Sequence, residues 1–254
     1  MWKTTLLLLL LCWYSPCAAW GPTGHRVIGQ IAEGHLSAKA RKEVSALLGH
    51  QSIAMASTWM DEVRSDTLFD HTHDHHWVTI PDGMRYADTE KNPNGDLIEA
   101  IERMKGTLRD PRATVEDKQQ SLKFLIHLIG DLHQPLHVGG GDDRGGNEVK
   151  VRWMRGNSDL HRVWDSGIID LQELSYTELA ASLPPPSTIQ LAQWRSGTIA
   201  DWAHEAMTYR PQIYRLENDG DMGYRYAYWN WPLVRGQLLK GGVRLAAVLN
   251  EIFK

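Results

Sequence analysis

The segment from Thr114 to Leu132 constrains this chain most. Thr114 and Asp117 form a capping-box pattern, Leu122, Leu125, Ile126 and Ile129 recur at helical spacing, and the second half, Phe124-Leu125-Ile126-His127-Leu128-Ile129-Gly130-Asp131, is almost wholly apolar. Such a helix belongs inside the protein. It carries His127 and Asp131 four residues apart on one face, where neither can be buried without a partner. His161 and Asp165 repeat the spacing in a second helical segment. One such pair is commonly a solvated surface contact. The apolar setting of the first pair argues instead for a metal ion held by an imidazole nitrogen and a carboxylate oxygen.

The rest of the chain is patterned mainly for helices. Val27, Ile28, Ile31 and Leu36 mark one, and Ser37 caps another that ends at Leu48-Gly49. Asp96 caps a third through Leu108, and further helices are expected over 158–174, 187–208 and 224–252, the last interrupted at Pro232. Residues 71–94 read as a polar loop with Val78-Thr79-Ile80 extended, and 139–147 as a glycine-rich loop. Glu148 to Trp153 alternates like a hairpin strand. No repeat or linker composition appears. The expectation is an all-α fold, a mainly helical single domain with a small β-hairpin.

The first nineteen residues are set apart. Lys3, the apolar run Leu6 to Leu11 and the small residues Cys17-Ala18-Ala19 read as a secretory signal peptide over 1–19, cleaved after Ala19, leaving a domain over 20–254. Cys12 and Cys17, the only 2 cysteines, leave with it, so the mature chain has no disulfide. The expected location is secreted or periplasmic, with no membrane anchor. A formal net charge of -4 argues against a broad basic surface that grips duplex DNA.

More potential ligands surround the two pairs. His137 follows a helix end forced by Pro135, Asp61 lies in Trp59-Met60-Asp61-Glu62-Val63-Arg64, His76 precedes Trp77, and His25 lies near the expected new N-terminus. The amino and carbonyl groups of an N-terminal Trp20 would close a chelate ring, and the modest pKa of an α-amine makes its deprotonation by a metal easy. Nitrogen and carboxylate donors without thiolates favour zinc, although spacing alone admits manganese or iron.

Together, Trp20-Gly21, Gly24-His25, Trp59-x-Asp61-Glu62-x-Arg64, His76-Trp77, Phe124-Leu125-x-His127-x-Ile129-Gly130-Asp131, Gln134-Pro135-Leu136-His137, Gly145-Gly146-Asn147 and Leu160-His161-x-x-Trp164-Asp165 carry a resemblance. The chain resembles the zinc-dependent single-strand nucleases of moulds and the plant bifunctional nucleases, with bacterial zinc phospholipase C a more distant relative. The resemblance implies a phospholipase C/P-one nuclease-like helical fold and three Zn2+ per chain. One zinc would take Asp61, His76, His127 and Asp131. Its neighbour would take Trp20, His25 and a shared Asp131, and the third His137, His161 and Asp165.

It further implies endonucleolytic hydrolysis of single-stranded DNA and RNA to 5′-phosphate products, with action on 3′-nucleotides by a monomer. Asp61 would orient the attacking water and Arg64 would neutralise phosphoryl oxygens. Three zinc ions make an electropositive pocket inside an acidic protein, which reconciles the charge balance with a nucleic-acid substrate. Trp77 is the expected stacking platform and Asn147 the expected contact to a base edge. Thr79 stands where the mould enzymes have a base-contacting aspartate, so base preference does not transfer.

Other features have plainer readings. His71, His73 and His75 are expected to be solvated. His133, His35, His50 and His204 are expected to be structural or to support the ligands, and Trp194, Trp202, Trp229 and Trp231 to be core or cleft walls. A zinc phospholipase C and a non-enzymatic zinc-binding protein are the alternatives. The first shares the metal logic but not the Gly-Gly-Asn loop, and the second has no need of Arg64.

Overall fold

A computed structural model describes residues 20–216 and 220–254; residues 1–19, where the expected signal peptide and both cysteines fall, lie outside them. In chain order the helices are α1 (Pro22–His35), α2 (Ala38–Leu48), α3 (Ile53–Ala56), α4 (Trp59–Glu62), α5 (Leu97–Arg109), α6 (Val115–Leu132), α7 (Leu160–Arg162), α8 (Ile168–Asp170), α9 (Tyr176–Ser182), α10 (Thr188–Trp194), α11 (Ile199–Met207), α12 (Arg210–Ile213) and α13 (Tyr224–Ile252). Five short strands, β1 (Val78–Thr79), β2 (Val138–Gly139), β3 (Lys150–Trp153), β4 (Gly156–Asp159) and β5 (Asp221–Met222), complete a mainly helical fold.

The caps read from the sequence do their work. Ser37 Oγ accepts from Ala40 N at 3.1 Å, Asp96 Oδ1 accepts from Ile98 N at 2.9 Å, and Thr114 and Asp117 cap each other's backbone. From Phe124 onward every residue of α6 is buried, so this helix is the axis of the molecule. Helices α1, α5 and α13 pack around it, and α1 lies along α13. Gly242 permits that approach, since a Cβ there would lie 2.5 Å from the side chain of Ile31.

Four expectations need correction. The stretch ending at His76 is a 3-10 helix, Thr67–His76, because Asp66 caps it by accepting from Leu68 N at 3.0 Å. The segment 158–174 begins as strand β4, turns into α7, widens into a π-turn at Val163–Gly167 and returns to α8. The segment 187–208 splits into α10 and α11 at Gly197, whose φ of +87° ends one helix while Thr198 and Asp201 cap the next. Helix α13 runs unbroken through Pro232.

The small sheets tie loops to helices. β3 pairs antiparallel with β4, as a hairpin, and parallel with β5. β1 pairs parallel with β2, joining the chain just after His76 to the chain just after His137. Buried Arg210 closes the end of that pair by donating to Val138 O at 3.0 Å and Ile80 O at 2.9 Å.

Candidate metal centre

The ligand candidates are delivered by elements spread along the chain. α1 carries His25, α4 carries Asp61, and the turn after it carries Arg64. The 3-10 helix ends on His76, α6 supplies His127 and Asp131, and the turn Pro135–His137 follows. α7 bears His161 and the π-turn Asp165. A π-turn inserts a residue's worth of extra width, a feature frequent at functional sites.

Among the described residues three groups have their ligand atoms within 4.8 Å of one another: His25, His127 and Asp131; Asp61, His76 and His127; and His137, His161 and Asp165. The first two share His127, and Asp131 stands between them, with Oδ2 3.0 Å from His76 Nδ1 and 3.4 Å from His127 Nε2, and Oδ1 3.3 Å from His25 Nε2. All of these side chains are buried except Asp61, which is partly open to solvent beside Arg64, at 3.4 Å.

Backbone carbonyls set the imidazole tautomers. His127 Nδ1 donates to Ser57 O at 2.7 Å, His137 Nδ1 to His76 O at 2.6 Å, and His161 Nδ1 to Gly145 O at 2.6 Å. A carbonyl only accepts, so each Nδ1 keeps its proton and each Nε2 offers a lone pair. His137 Nε2 and His161 Nε2 face each other at 3.2 Å beside the Asp165 carboxylate. Two lone pairs and a carboxylate at that distance repel unless a proton or a metal cation lies among them.

Burial gives the same answer. It pushes the Asp131 carboxyl up to about 7, against the neighbouring imidazoles, and the Asp165 carboxyl up to about 8. Burial also lowers His25 and His137, and holds His76 down to about 3, so these three imidazoles are neutral. Both ring nitrogens of His25, Nε2 of His76 and of His127, and Oδ1 of Asp131 are buried without a hydrogen-bond partner. Neutral imidazoles, costly buried carboxylates and orphaned donor atoms that converge are the donor set of a metal site, and the residues fit one.

Trp20 is fully buried, and the residue after it is locked in place, with Gly21 N donating to Asp165 O at 2.7 Å. Trp77 is half-buried, its ring edge-on to His73 at 5.4 Å, and Asn147 donates through Nδ2 to Arg144 O at 2.8 Å. Thr79 approaches Gly141.

Some supporting residues carried no role in the sequence reading. Gln134, fully buried, donates Nε2 to Asp165 Oδ1 at 2.7 Å while its Oε1 accepts from Leu136 N at 2.7 Å. Gly145 has φ +63°, and a Cβ there would meet Leu136 O at 2.3 Å, so the glycine-rich loop exists to bring its carbonyl onto His161. A glutamine three residues before the ligand candidate His137 was the available signal for the first; nothing local signalled the second.

Two plainer readings change. His75 is buried, not solvated, with Nε2 3.2 Å from Asn94 O and Arg103 against its ring, whereas His71 and His73 are exposed. Trp229 is exposed rather than core, while Trp202 is buried and Trp194 and Trp231 are half-buried. His133 is structural, with Nδ1 donating to Ile129 O at 2.7 Å and Nε2 accepting from Arg244 at 3.1 Å. His204 Nε2 accepts from Tyr86 N at 3.0 Å; His50 is exposed and His35 half-buried, away from the ligands.

Residues 20–254 match the family described as S1/P1 Nuclease. Endonuclease 4 of Arabidopsis thaliana is 30% identical over 92% of this chain and 89% of its own length. Nuclease P1 of Penicillium citrinum is 26% identical over 92% of this chain and 97% of its own, and Nuclease S1 of Aspergillus oryzae 25% identical over 92% and 91%. With a helical fold, three convergent His/Asp groups and a match spanning every described residue, this chain belongs to the S1/P1 nuclease family.

Proposed function

We propose that this chain is a zinc-dependent phosphodiesterase that cleaves single-stranded DNA and RNA endonucleolytically to 5′-phosphate products and also dephosphorylates 3′-nucleotides. The observation that supports it most is the convergence of His137 Nε2 and His161 Nε2, 3.2 Å apart, on the Asp165 carboxylate, one of three such groups, within a zinc-dependent family. Three zinc ions would be held by Asp61, His76, His127 and Asp131, by His25 with Asp131 and the amine and carbonyl of Trp20, and by His137, His161 and Asp165. Removal of the leader before Trp20 would create that amine in an exported chain. No described helix is long and apolar enough to cross a membrane.

Bound zinc supplies Lewis acidity toward the scissile phosphoryl group. Asp61, the one ligand candidate partly open to solvent, orients the attacking water by accepting its hydrogen bond. Arg64, 3.4 Å from Asp61, donates to the phosphoryl oxygens as their charge grows. The buried donors lie below the surface, where a splayed single strand brings its phosphate more easily than a stiff duplex does. Trp77 stacks the flanking base, and Asn147 contacts its edge.

The decisive experiment uses zinc-loaded protein. Release of acid-soluble nucleotide from single-stranded DNA and RNA, lost on chelation, with no phosphocholine from lecithin, is the expected outcome. Zinc binding without cleavage of either nucleic acid would defeat the reading, as would fewer than three metals per chain or a mature N-terminus other than Trp20 for the ligand assignment.

A further inference from the structure

We propose that the outer face of the first turns of α13 is a second binding site for single-stranded nucleic acid, apart from the metal centre. Tyr224, Arg225, Tyr228, Trp229, Pro232 and Arg235 share one side of the helix, while Tyr226, Ala227, Asn230 and Val234 on the other side are buried. Tyr224 is 75%, Tyr228 78% and Trp229 47% exposed. Three large aromatic rings within two turns are more apolar surface than a helix leaves in water without a use.

The charge around the rings points to the occupant. Residues 224–235 contain two arginines and no aspartate or glutamate, in a chain of net charge -4. The guanidinium of Arg225 lies 5.4 Å, and that of Arg215 6.0 Å, from the Trp229 ring centroid. This layering of guanidinium and aromatic planes is the arrangement that accepts a base by stacking and its phosphate by pairing. Alongside, Arg155 projects from the β3–β4 turn, where Met154 and Arg155 have φ of +48° and +69°. Arg155, Tyr224 and Arg225, with Asp221 as the one acidic member, line a surface cavity of about 690 Å³.

The ridge is stiff and anchored. Tyr226 OH, on the inner side of the same turn, donates to Ile213 O at 2.6 Å and accepts from Trp164 Nε1 at 2.9 Å. Trp164 immediately precedes the ligand candidate Asp165, so the ridge is fixed to the wall of the centre without entering it. A strand longer than the cleft then gains a second hold, while a dinucleotide does not. The choice of occupant rests on the nuclease reading.

The test compares zinc-loaded wild type with the Tyr228→Ala/Trp229→Ala double variant on thymidylyl dinucleotide and on a thirty-nucleotide oligothymidylate. The expected result is a rise in KM on the order of tenfold for the long strand, with both constants for the dinucleotide and the zinc content unchanged. Tyr228→Phe/Trp229→Phe should retain wild-type KM. Anisotropy of a labelled phosphorothioate strand should show the same loss of affinity, independent of cleavage. An unchanged KM for the long strand, an equal rise for the dinucleotide, or loss of binding to anionic phospholipid vesicles in place of the oligonucleotide would overturn the proposal. Absence of cleavage with the anisotropy difference intact would defeat the nuclease reading and leave the ridge.

Discussion

At the residue scale the centre is built by second partners as much as by ligands. Carbonyls of Ser57, His76 and Gly145 hold three imidazoles with Nε2 inward, and Gln134 does the same for the Asp165 carboxylate. Such support is worth roughly 10- to 100-fold in metal affinity. Gln134→Ala is therefore expected to weaken one zinc by about that factor, read by competition with a graded chelator, while the other two stay bound. In the role proposed for Arg64, where the guanidinium meets charge that develops during the reaction, Arg64→Ala should lower kcat by about 100- to 1000-fold with zinc content intact. Loss of zinc in that variant would show that Arg64 supports the metals instead.

At the element scale two close approaches of α1 govern the fold and the site separately. A Cβ at Gly130 would lie 2.6 Å from His25 Nδ1, and one at Gly242 would lie 2.5 Å from Ile31 and 3.0 Å from Ile28 O. Gly130→Ala is expected to displace His25 and lower the zinc count. Gly242→Ala should cost about 1–3 kcal/mol of stability by overpacking α1 against α13, with the zinc count unchanged. Thermal unfolding and metal analysis on both variants separate the two effects. A second junction, between α11 and α13, is electrostatic: Glu205 receives Lys240 and Arg244, and Arg244 also donates to Trp194 O at 2.9 Å. Burial opposes the charge on Glu205, but those two cations outweigh it and hold the carboxyl down at about 2. A carboxyl lower in the folded state than in the unfolded one stabilises above its ordinary pKa, near 4.5, and that stability disappears as pH falls toward 2. Glu205→Gln should therefore unfold at a lower temperature than wild type at neutral pH, with the gap closing through that acid window. A gap independent of pH would mean that the charge is not its source.

At the scale of the whole molecule, the proposed metal sites and the core are one structure. α6 brings its ligands into the interior, where Asp131 and Asp165 are costly to ionise alone. A ligand that binds only the native state adds about 4 kcal/mol when its free concentration is a thousand times its dissociation constant. In a chain of this size that corresponds to a fall in Tm on the order of 10 °C for each site emptied by chelation. Calorimetry before and after chelation checks it, and an unchanged Tm would mean that the buried donors satisfy one another without metal.

The helical class, the central helix and the two His–Asp pairs were legible in the sequence because periodicity, caps and the cost of burying an unpaired His or Asp are local properties; the assignment of the remaining ligand candidates rested on the family resemblance. The i, i+4 spacing of His127 with Asp131 and of His161 with Asp165 is such a property, and so is the capping box at Thr114. Which nitrogen each imidazole offers is set by tertiary contacts, since it depends on carbonyls distant in sequence, such as Ser57 O for His127 and Gly145 O for His161. Tertiary contacts also decided that His75 is buried and Trp229 is not. A side chain's exposure is set by what other elements lay over it, and no window of sequence around either residue contains those elements.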